Sequence, residues 1–155
     1  MLLLRTGQYI KGFPAKEEWM MLSRGTDLEK LYIKMLERVT DDYPNLDKKI
    51  ILADLLSREE EFSSIIGHGI ALPHCYSKDI KESLLILAKQ EVPLFSRFAD
   101  TEIELVFMII SPVDRPDAHL GLISRIAKHV IQEQNRKELI AAKSPFELFQ
   151  MLQKR

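Results

Sequence analysis

The chain has little cysteine, little glycine and no excess of charge of either sign. Its 155 residues include one cysteine and six glycines, and the formal net charge is −1. The single Cys75 excludes a disulfide within the chain and is typical of a reducing compartment. A composition without a positive excess does not favour nucleic-acid binding. No apolar run approaches the roughly eighteen residues that span a bilayer, and the N-terminal Met-Leu-Leu-Leu is too short for a signal-peptide core, so we expect a cytoplasmic protein without membrane insertion.

Several well-known motifs are also missing. The sequence contains neither a P-loop nor a dinucleotide glycine pattern, so no nucleotide is predicted. His68, His74 and Cys75 are close in sequence, but they lack both the helical spacing and the Cys-x-x-Cys pair of common metal sites. Neighbours on an extended chain point in opposite directions, so Cys75 is not expected to act beside His74 as a thiol nucleophile. We therefore predict no metal and no cofactor.

What remains is the profile of one globular domain, 46% hydrophobic and 29% charged. Apolar residues at helical spacing lie before and after a central group of short apolar runs, which predicts an α/β or α+β sandwich. The predicted elements are a possible short helix at 14–22, helices that begin at Thr26 or Asp27 and at Asn45, strands within 65–72, 84–89 and 103–110, a loop at Pro93 and 96–100, and helices from Asp117, at 136–142 and from Ser144–Pro145.

One short segment presents a histidine at the end of a strand. Residues 67–74 read Gly-His-Gly-Ile-Ala-Leu-Pro-His, a glycine-flanked turn followed by an apolar strand. The fixed backbone angle of Pro73 would hold the ring of His74 in one orientation. A neutral imidazole is a good nucleophile near pH 7, so His74 is a candidate to accept a phosphoryl group. The alternative from the pattern alone is a solvated loop histidine.

A second histidine lies at the predicted N-terminal turn of a helix. His119 follows Pro112 and Pro116 at a position where free backbone N–H groups and the helix dipole favour an anion. A neutral ring there can hydrogen-bond the nucleophile or the arriving phosphoryl oxygens. The alternative is a half-buried histidine packed beside Leu122 and Ile126.

Three polar residues upstream complete the candidate site. Arg58 can supply the fixed, planar positive charge that phosphoryl transfer requires. Its alternative is a surface arginine near a helix end, paired with one of the three glutamates that follow it. Ser63 and Ser64 can offer hydroxyls to the phosphate, although serines that enter a loop usually satisfy backbone groups.

Residues 58–74, Arg-Glu-Glu-Glu-Phe-Ser-Ser-Ile-Ile-Gly-His-Gly-Ile-Ala-Leu-Pro-His, resemble the signature of the type 2 EIIA domains. These domains form the mannitol/fructose class of the bacterial phosphoenolpyruvate-dependent phosphotransferase system, which includes the nitrogen-related regulatory EIIA proteins. The family's second block is similar to the apolar run at 103–110, the proline after it and the His-Leu pair at 119–120. The resemblance covers about residues 26–152.

The resemblance implies a function and a fold. It implies that His74 is phosphorylated, that His119 is the partner histidine, and that Arg58, Glu59 and the Ser63–Ser64 pair support them. It implies a three-layer sandwich with a small mixed sheet between helices, and no cofactor. The phosphoryl donor would be the phosphocarrier HPr or its nitrogen-branch relative. In sugar-transport members the acceptor is a cysteine on an EIIB domain.

The chain departs from the family in three places. Ser63-Ser64-Ile65 stands where the family usually has Ser-Thr-Gly, and Phe62 adds bulk beside the site. We expect these changes to affect the efficiency of transfer more than the identity of the site. Residues 1–24 do not resemble the usual opening of the family, so we predict an arm or linker over 1–25 and an EIIA domain over 26–155.

Two classes of function follow from these residues. The leading prediction is a phosphotransferase component that accepts a phosphoryl group on His74 and passes it to an EIIB partner. The alternative is a regulatory module whose phosphorylation state at His74 controls a transporter, kinase or transcription factor by direct binding. A degenerate domain that keeps the fold without accepting phosphate is a third possibility.

Overall fold

The computed structural model of the protein describes residues 13–25, 27–96, 98 and 100–153. Over these residues the chain forms a six-stranded mixed sheet and five α-helices. The strands are β1 (Met20–Ser23), β2 (Ile65–Gly67), β3 (Ile70–Ala71), β4 (His74–Ser77), β5 (Leu84–Ser96) and β6 (Thr101–Pro112). The helices are α1 (Leu28–Thr40), α2 (Lys48–Glu61), α3 (Pro116–Ile131), α4 (Glu133–Ala141) and α5 (Pro145–Gln153), with a 3-10 helix at Glu17–Trp19.

A long antiparallel hairpin of β5 and β6 forms the centre of the sheet. β1 runs parallel to β5, while β3 and β4 run parallel to β6 at successive positions along it, and β2 pairs with β3. Ile70 is in register with Leu105, and His74 is in register with Ile109. The sheet and its flanking helices confirm the predicted α/β sandwich with a small mixed sheet.

The central hairpin is buried on both faces. Residues 84–88 of β5 and 105–110 of β6 are at most 1% exposed. A strand covered on both faces appears in the sequence as a continuous apolar run instead of an alternation, and this pattern predicted both strands. α1 contacts β5 and α2 contacts β4, while α3 contacts β6 and α5 contacts β1. The helices therefore hold β4 and β6, the two strands nearest the candidate site, within the core.

Side-chain caps start three of the helices. Asp27 accepts a hydrogen bond from the backbone N–H of Lys30, and Ser144 accepts one from that of Glu147, as predicted. The predicted cap Asn45 is wrong, because Asp47 accepts from the backbone N–H groups of Lys49 and Ile50 in the first turn of α2. Thr26 lies outside the described residues. Within the described part of the chain, no helix combines the length and the apolar character that a bilayer crossing requires.

Two predicted elements differ from the structure. The possible helix at 14–22 is wrong beyond the 3-10 helix at Glu17–Trp19, because the next residues pair with β5 as strand β1. The predicted loop around Pro93 is also wrong, since β5 continues through it to Ser96. Pro93 lies where the register between β5 and β6 shifts, the place where a sheet tolerates a residue without an N–H.

The N-terminal region was predicted to be an arm or linker over residues 1–25. Residues 1–12 lie outside the described residues. Of the rest, Trp19, Met20 and Met21 are buried in the hydrophobic core, and β1 is part of the sheet. The limits of the domain stay a prediction.

Candidate functional site

The site is centred on His74, the first residue of β4. The chain enters it from the β2–β3 hairpin, whose turn has positive φ at Gly67, His68 and Gly69. Glycine adopts such angles without steric cost, which is why the predicted turn has one on each side of His68. Pro73 separates β3 from β4 because it cannot donate to the sheet, but its carbonyl still accepts from the N–H of Ile109 at 3.0 Å.

A backbone hydrogen bond fixes the tautomer of His74. Its Nδ1 lies 2.8 Å from the carbonyl oxygen of Leu72. A carbonyl oxygen only accepts, so Nδ1 of His74 carries the ring proton and donates it. In the neutral ring, Nε2 therefore keeps its unshared electron pair. The half-buried ring thus has one nitrogen tied to the backbone and one available as a nucleophile.

His119 lies in the first turn of α3 and is only 1% exposed. The centroids of the His74 and His119 rings are 5.4 Å apart, so the structure brings the two predicted histidines together. Burial lowers the pKa of His119 to about 4, with smaller effects from the charges of His74 and Arg58. His119 is therefore neutral near pH 7. Its Nε2 is buried and has no hydrogen-bond partner within the described part of the chain.

Three side chains around His119 were missed by the sequence analysis. Nδ1 of His119 lies 2.6 Å from the hydroxyl of Ser111, which in turn lies 2.9 Å from the hydroxyl of Ser83. The ring of Tyr76 lies on His119 with centroids 4.4 Å apart. Tyr76 is two residues after His74 on a strand and so shares its face, a signal that the sequence contained. Ser111 is a polar residue inside an otherwise apolar run, which is also a usable signal.

Arg58 lies in the last turn of α2, on the other side of His74. With Phe62, Ser63, Ser64 and His74 it lines a pocket of about 210 Å³. Its Nε donates to Asp54 at 3.1 Å, one helical turn earlier, and the side chain is 46% exposed. The predicted ion pair with a following glutamate is thus replaced by one with a preceding aspartate. Arg58 therefore shares a pocket with His74 and keeps its side chain in contact with solvent.

Glu59 has a different environment from its neighbour Arg58. It is 4% exposed and accepts hydrogen bonds from the hydroxyl of Tyr32 at 2.7 Å and from the backbone N–H of Ser64 at 3.1 Å. Burial, followed by the charge of Glu59, raises the pKa of Tyr32 far above its usual range, so that hydroxyl stays a donor. Glu59 therefore anchors the loop that carries Ser64. Tyr32 was not identified from the sequence, because its partner lies on another helix.

The two predicted serines belong to the same loop. The hydroxyl of Ser63 accepts from the backbone N–H of Ile65 at 3.2 Å, the turn-stabilising contact expected of a loop serine. The hydroxyl of Ser64 is 3.5 Å from that of Tyr32. Phe62 is 83% exposed at the mouth of the pocket. All six predicted site residues thus lie on the pocket or on the histidine pair beside it.

The assembled groups suit the transfer of an anionic group to nitrogen. They comprise a nucleophilic ring nitrogen, a guanidinium and a neutral buried imidazole, which are groups that can stabilise a transferring phosphoryl group. Among the described residues, no group of three or more His, Cys, Asp or Glu side chains has the arrangement of a metal site.

Comparisons with known proteins point in the same direction. The sequence model of the family described as "Phosphoenolpyruvate-dependent sugar phosphotransferase system, EIIA 2" matches residues 20–155. Multiphosphoryl transfer protein 2 of Escherichia coli K12 is 31% identical over 102 residues, which span 65% of this chain but only 12% of that protein. The nitrogen regulatory protein of the same organism is 26% identical over 126 residues, 80% of this chain and 77% of that protein.

A solved structure shows the same fold. The crystal structure of nitrogen regulatory protein IIA-Ntr from Neisseria meningitidis superposes with a TM-score of 0.80 at 18% sequence identity. The superposition covers 96% of this chain and 99% of that one. The strand order and the flanking helices described above are therefore those of a known architecture.

Proposed function

Since the chain belongs to the EIIA 2 family of the phosphoenolpyruvate-dependent sugar phosphotransferase system, we propose that it carries a phosphoryl group on Nε2 of His74. One observation carries this assignment. The hydrogen bond from Nδ1 of His74 to the Leu72 carbonyl leaves Nε2 as the nitrogen with the free electron pair. The proposed activity is that of a phosphotransferase component with a phosphohistidine intermediate.

The transfer step balances without a cofactor. Nε2 of His74 attacks the phosphorus of a phosphohistidine on the donor protein, and the donor's P–N bond breaks. The electron pair of that bond returns to the donor imidazole. His74 becomes a phosphorylated ring that still holds its proton on Nδ1, and the Leu72 carbonyl stabilises the positive charge that develops there. The reverse sequence delivers the group to an acceptor.

Arg58 and His119 are proposed to stabilise the transferring group. The guanidinium can form two parallel hydrogen bonds to phosphoryl oxygens, which offsets their negative charge. His119, being neutral, can donate one hydrogen bond without adding a charge that would repel a protonated His74. Ser63 and Ser64 line the same pocket and can offer further donors, while Glu59 holds their loop in place.

The partners follow from the family and the resemblance. We propose that the donor is HPr or its nitrogen-branch relative and that the acceptor is a cysteine on an EIIB domain, in the cytoplasm. Matched segments of a multiphosphoryl transfer protein support the role of a carrier. Phe62, exposed at the mouth of the pocket, would be among the first residues that such a partner meets.

The direct test is phosphorylation with phosphoenolpyruvate and the donor proteins. The expected result is an acid-labile label on the wild type and on His68→Ala, and no label on His74→Ala. His68 is the matched control because it lies in the same segment but is exposed at the tip of a hairpin turn. A label that persists in His74→Ala would overturn the assignment.

A regulatory function is the second candidate, and one observation favours it. The similarity to the nitrogen regulatory protein covers 80% of this chain and 77% of that protein. The similarity to the multiphosphoryl transfer protein covers only 12% of that protein. In this function the phosphorylation state of His74 controls the binding of a transporter, kinase or transcription factor. The test compares the partners retained by phosphorylated and unphosphorylated protein. Partners that bind both states equally would count against a switch.

A further inference from the structure

We propose that Ser83 and Ser111 form a hydroxyl relay that holds His119 with its proton on Nε2, so that this N–H donates to the phosphoryl group on His74. The two serines are positioning residues, since they act through His119. The inference rests on the proposed function for the identity of the group that receives the hydrogen bond. The three side chains are joined by contacts of 2.6 Å and 2.9 Å.

Nε2 of His119 is the buried end of this series of contacts. Nε2 of His119 is buried and without a partner in the described residues, while Nδ1 contacts Ser111. A buried polar atom without a hydrogen bond is unfavourable, so a ligand that satisfies it is stabilised by it. The ring of His74 is the neighbouring imidazole, with centroids 5.4 Å apart. A phosphoryl group on that ring is therefore placed to pair with His119.

The chemistry of the phosphoryl group then selects one tautomer. Its oxygens are acceptors with negative charge, and an unprotonated Nε2 of His119 would face them with an electron pair. Only the tautomer with a proton on Nε2 is attractive. A neutral ring has one proton, so Nδ1 must then be the acceptor.

This tautomer determines which group donates and which accepts in both contacts of the relay. Because Nδ1 of His119 accepts, the hydroxyl of Ser111 has to donate to it. The hydroxyl of Ser111 has only one proton, which it donates to His119, so it can only accept from Ser83. Ser111 is 0% exposed, whereas Ser83 is partly exposed. The relay therefore runs from the surface, through a buried hydroxyl, to the ring that faces the phosphoryl site.

Packing also fixes the orientation of the His119 ring. Tyr76 packs against it with centroids 4.4 Å apart, and the interplanar angle is 42°. Together with the hydroxyl of Ser111 this contact restricts rotation of the ring about its Cβ–Cγ bond. Neutral hydrogen-bond donors that are fixed in advance stabilise a transition state better than donors that must reorganise. The relay supplies that preorganisation without a charged residue.

The test measures the ring nitrogens of His119 by NMR in protein labelled with ¹⁵N-histidine. In the wild type we expect a protonated Nε2 and an acceptor-type Nδ1 in the phosphorylated state. In Ser111→Ala we expect a mixture of the two tautomers and a phosphorylation rate lower by about tenfold, with an unchanged KM for the donor phosphocarrier. Ser83→Ala, at a partly exposed position, should shift the tautomers in the same direction by a smaller amount.

Ser77→Ala is the matched control. Ser77 is also a buried serine beside β6, but its hydroxyl accepts from the backbone N–H of Asp79 and does not reach His119. It should leave the tautomer and the rate unchanged. A proton found on Nδ1 of His119 in the phosphorylated wild type would overturn the relay, as would ring signals that Ser111→Ala leaves unchanged. If no phosphoryl group is taken up at all, the proposed function fails, while the effect of Ser111→Ala on the resting ring still decides whether the relay exists.

Discussion

The site around His74 has two sides that are built on opposite principles. The loop side consists of Arg58 and residues 62–64, and the strand side consists of Tyr76, Ser111 and His119. On the loop side the Arg58 side chain is 46% exposed and Phe62 is 83% exposed. On the strand side His119 and Ser111 are at most 1% exposed. The loop side carries a charge in contact with water. The strand side is uncharged and dry, meaning that it is shielded from water.

In the proposed function, this difference suits a site that stabilises a phosphoryl group and must also release it. A full charge in the dry side would bind the group too tightly and would itself be costly to bury. A neutral hydrogen-bond donor in a region of low dielectric stabilises the group more than it would in water, but less than a full charge would. The charge is placed where water screens it and where a partner protein can displace water on docking. Substitutions on each side can test this separation.

The largest effect is expected from the charge of the loop side. Arg58→Ala should lower the rate of His74 phosphorylation by roughly a hundredfold or more, because the transferring group loses its only guanidinium partner in the described pocket. Arg58→Lys should recover part of the rate, since a point charge remains without the planar fork. Stopped-flow or rapid-quench phosphorylation measures both.

Asp54→Ala is the control for that prediction. It removes the ion-pair partner of Arg58 but keeps the guanidinium, and exposed pairs of this kind contribute at most about 1 kcal/mol to stability. The rate should therefore remain near that of the wild type. A loss as large as in Arg58→Ala would show that the pair, rather than the arginine, is the functional unit.

The second effect concerns the anchor of the loop side. Glu59→Ala leaves the hydroxyl of Tyr32 and the N–H of Ser64 without their acceptor, so we expect the free energy of unfolding to fall by about 3 kcal/mol. Urea unfolding measures this change. Glu60→Ala is the matched control because Glu60 is the adjacent, exposed glutamate. Equal losses in the two variants would contradict the anchoring role.

The third prediction concerns the burial of His119 on the strand side, which should appear in the pH dependence of stability. The pKa of His119 is lowered from 6.5 to about 4 by burial, so between those values the unfolded chain binds a proton that the folded chain does not. The free energy of unfolding should fall as the pH drops from 6.5 to 4, and the loss due to His119 should level off just below 4. His119→Gln should remove about 2.5 kcal/mol of this pH dependence between pH 6.5 and 4.

His129 provides the comparison for that experiment. Burial also lowers its pKa, but its ring packs against Phe13, whereas the ring of His119 packs beside His74. Unfolding curves for His119→Gln, His129→Gln and the wild type separate the two contributions. If His119→Gln retained the full pH dependence of the wild type, the ring of His119 would not be held neutral by burial.

The smallest effect belongs to the ring that packs on His119. Tyr76→Phe keeps the aromatic face and should change the phosphorylation rate by less than a factor of about two, which is under about 0.5 kcal/mol. Tyr76→Ala removes the ring contact and should cost about 1 kcal/mol in the same measurement. If Phe were as harmful as Ala, the hydroxyl and not the ring would be the important part of Tyr76.

Strands and helix caps were predictable where the sequence of the element itself indicates its structure. The apolar runs of β5 and β6 indicate strands covered on both faces, and Asp27 and Ser144 stand directly before the helices they cap. Asn45 and Asp47 are both suitable caps, and the sequence does not distinguish which of the two the tertiary structure uses. Pro93 suggests a loop because its missing N–H disfavours a regular sheet, but a shift of register accommodates it.

The site was predictable in part for the same reason. His74, Arg58 and His119 stand in recognisable local settings, and the family resemblance joined them. Tyr32 did not emerge, since its partner Glu59 is remote in sequence and adjacent only in the fold. Ser111 was missed although its place inside an apolar run was a signal, because its pairing with His119 crosses from a strand to a helix and local spacing does not encode it. The roles of all these residues in transfer stay predictions.

The pairing of β4 with β6 has a kinetic consequence. His74 is held by the sheet, by Pro73 and by the carbonyl of Leu72, so its nucleophilic nitrogen is fixed in position and cannot swing from one partner to another. Donor and acceptor must then approach the same opening, one after the other. Such a carrier should follow ping-pong kinetics, and each partner should inhibit the half-reaction of the other at high concentration.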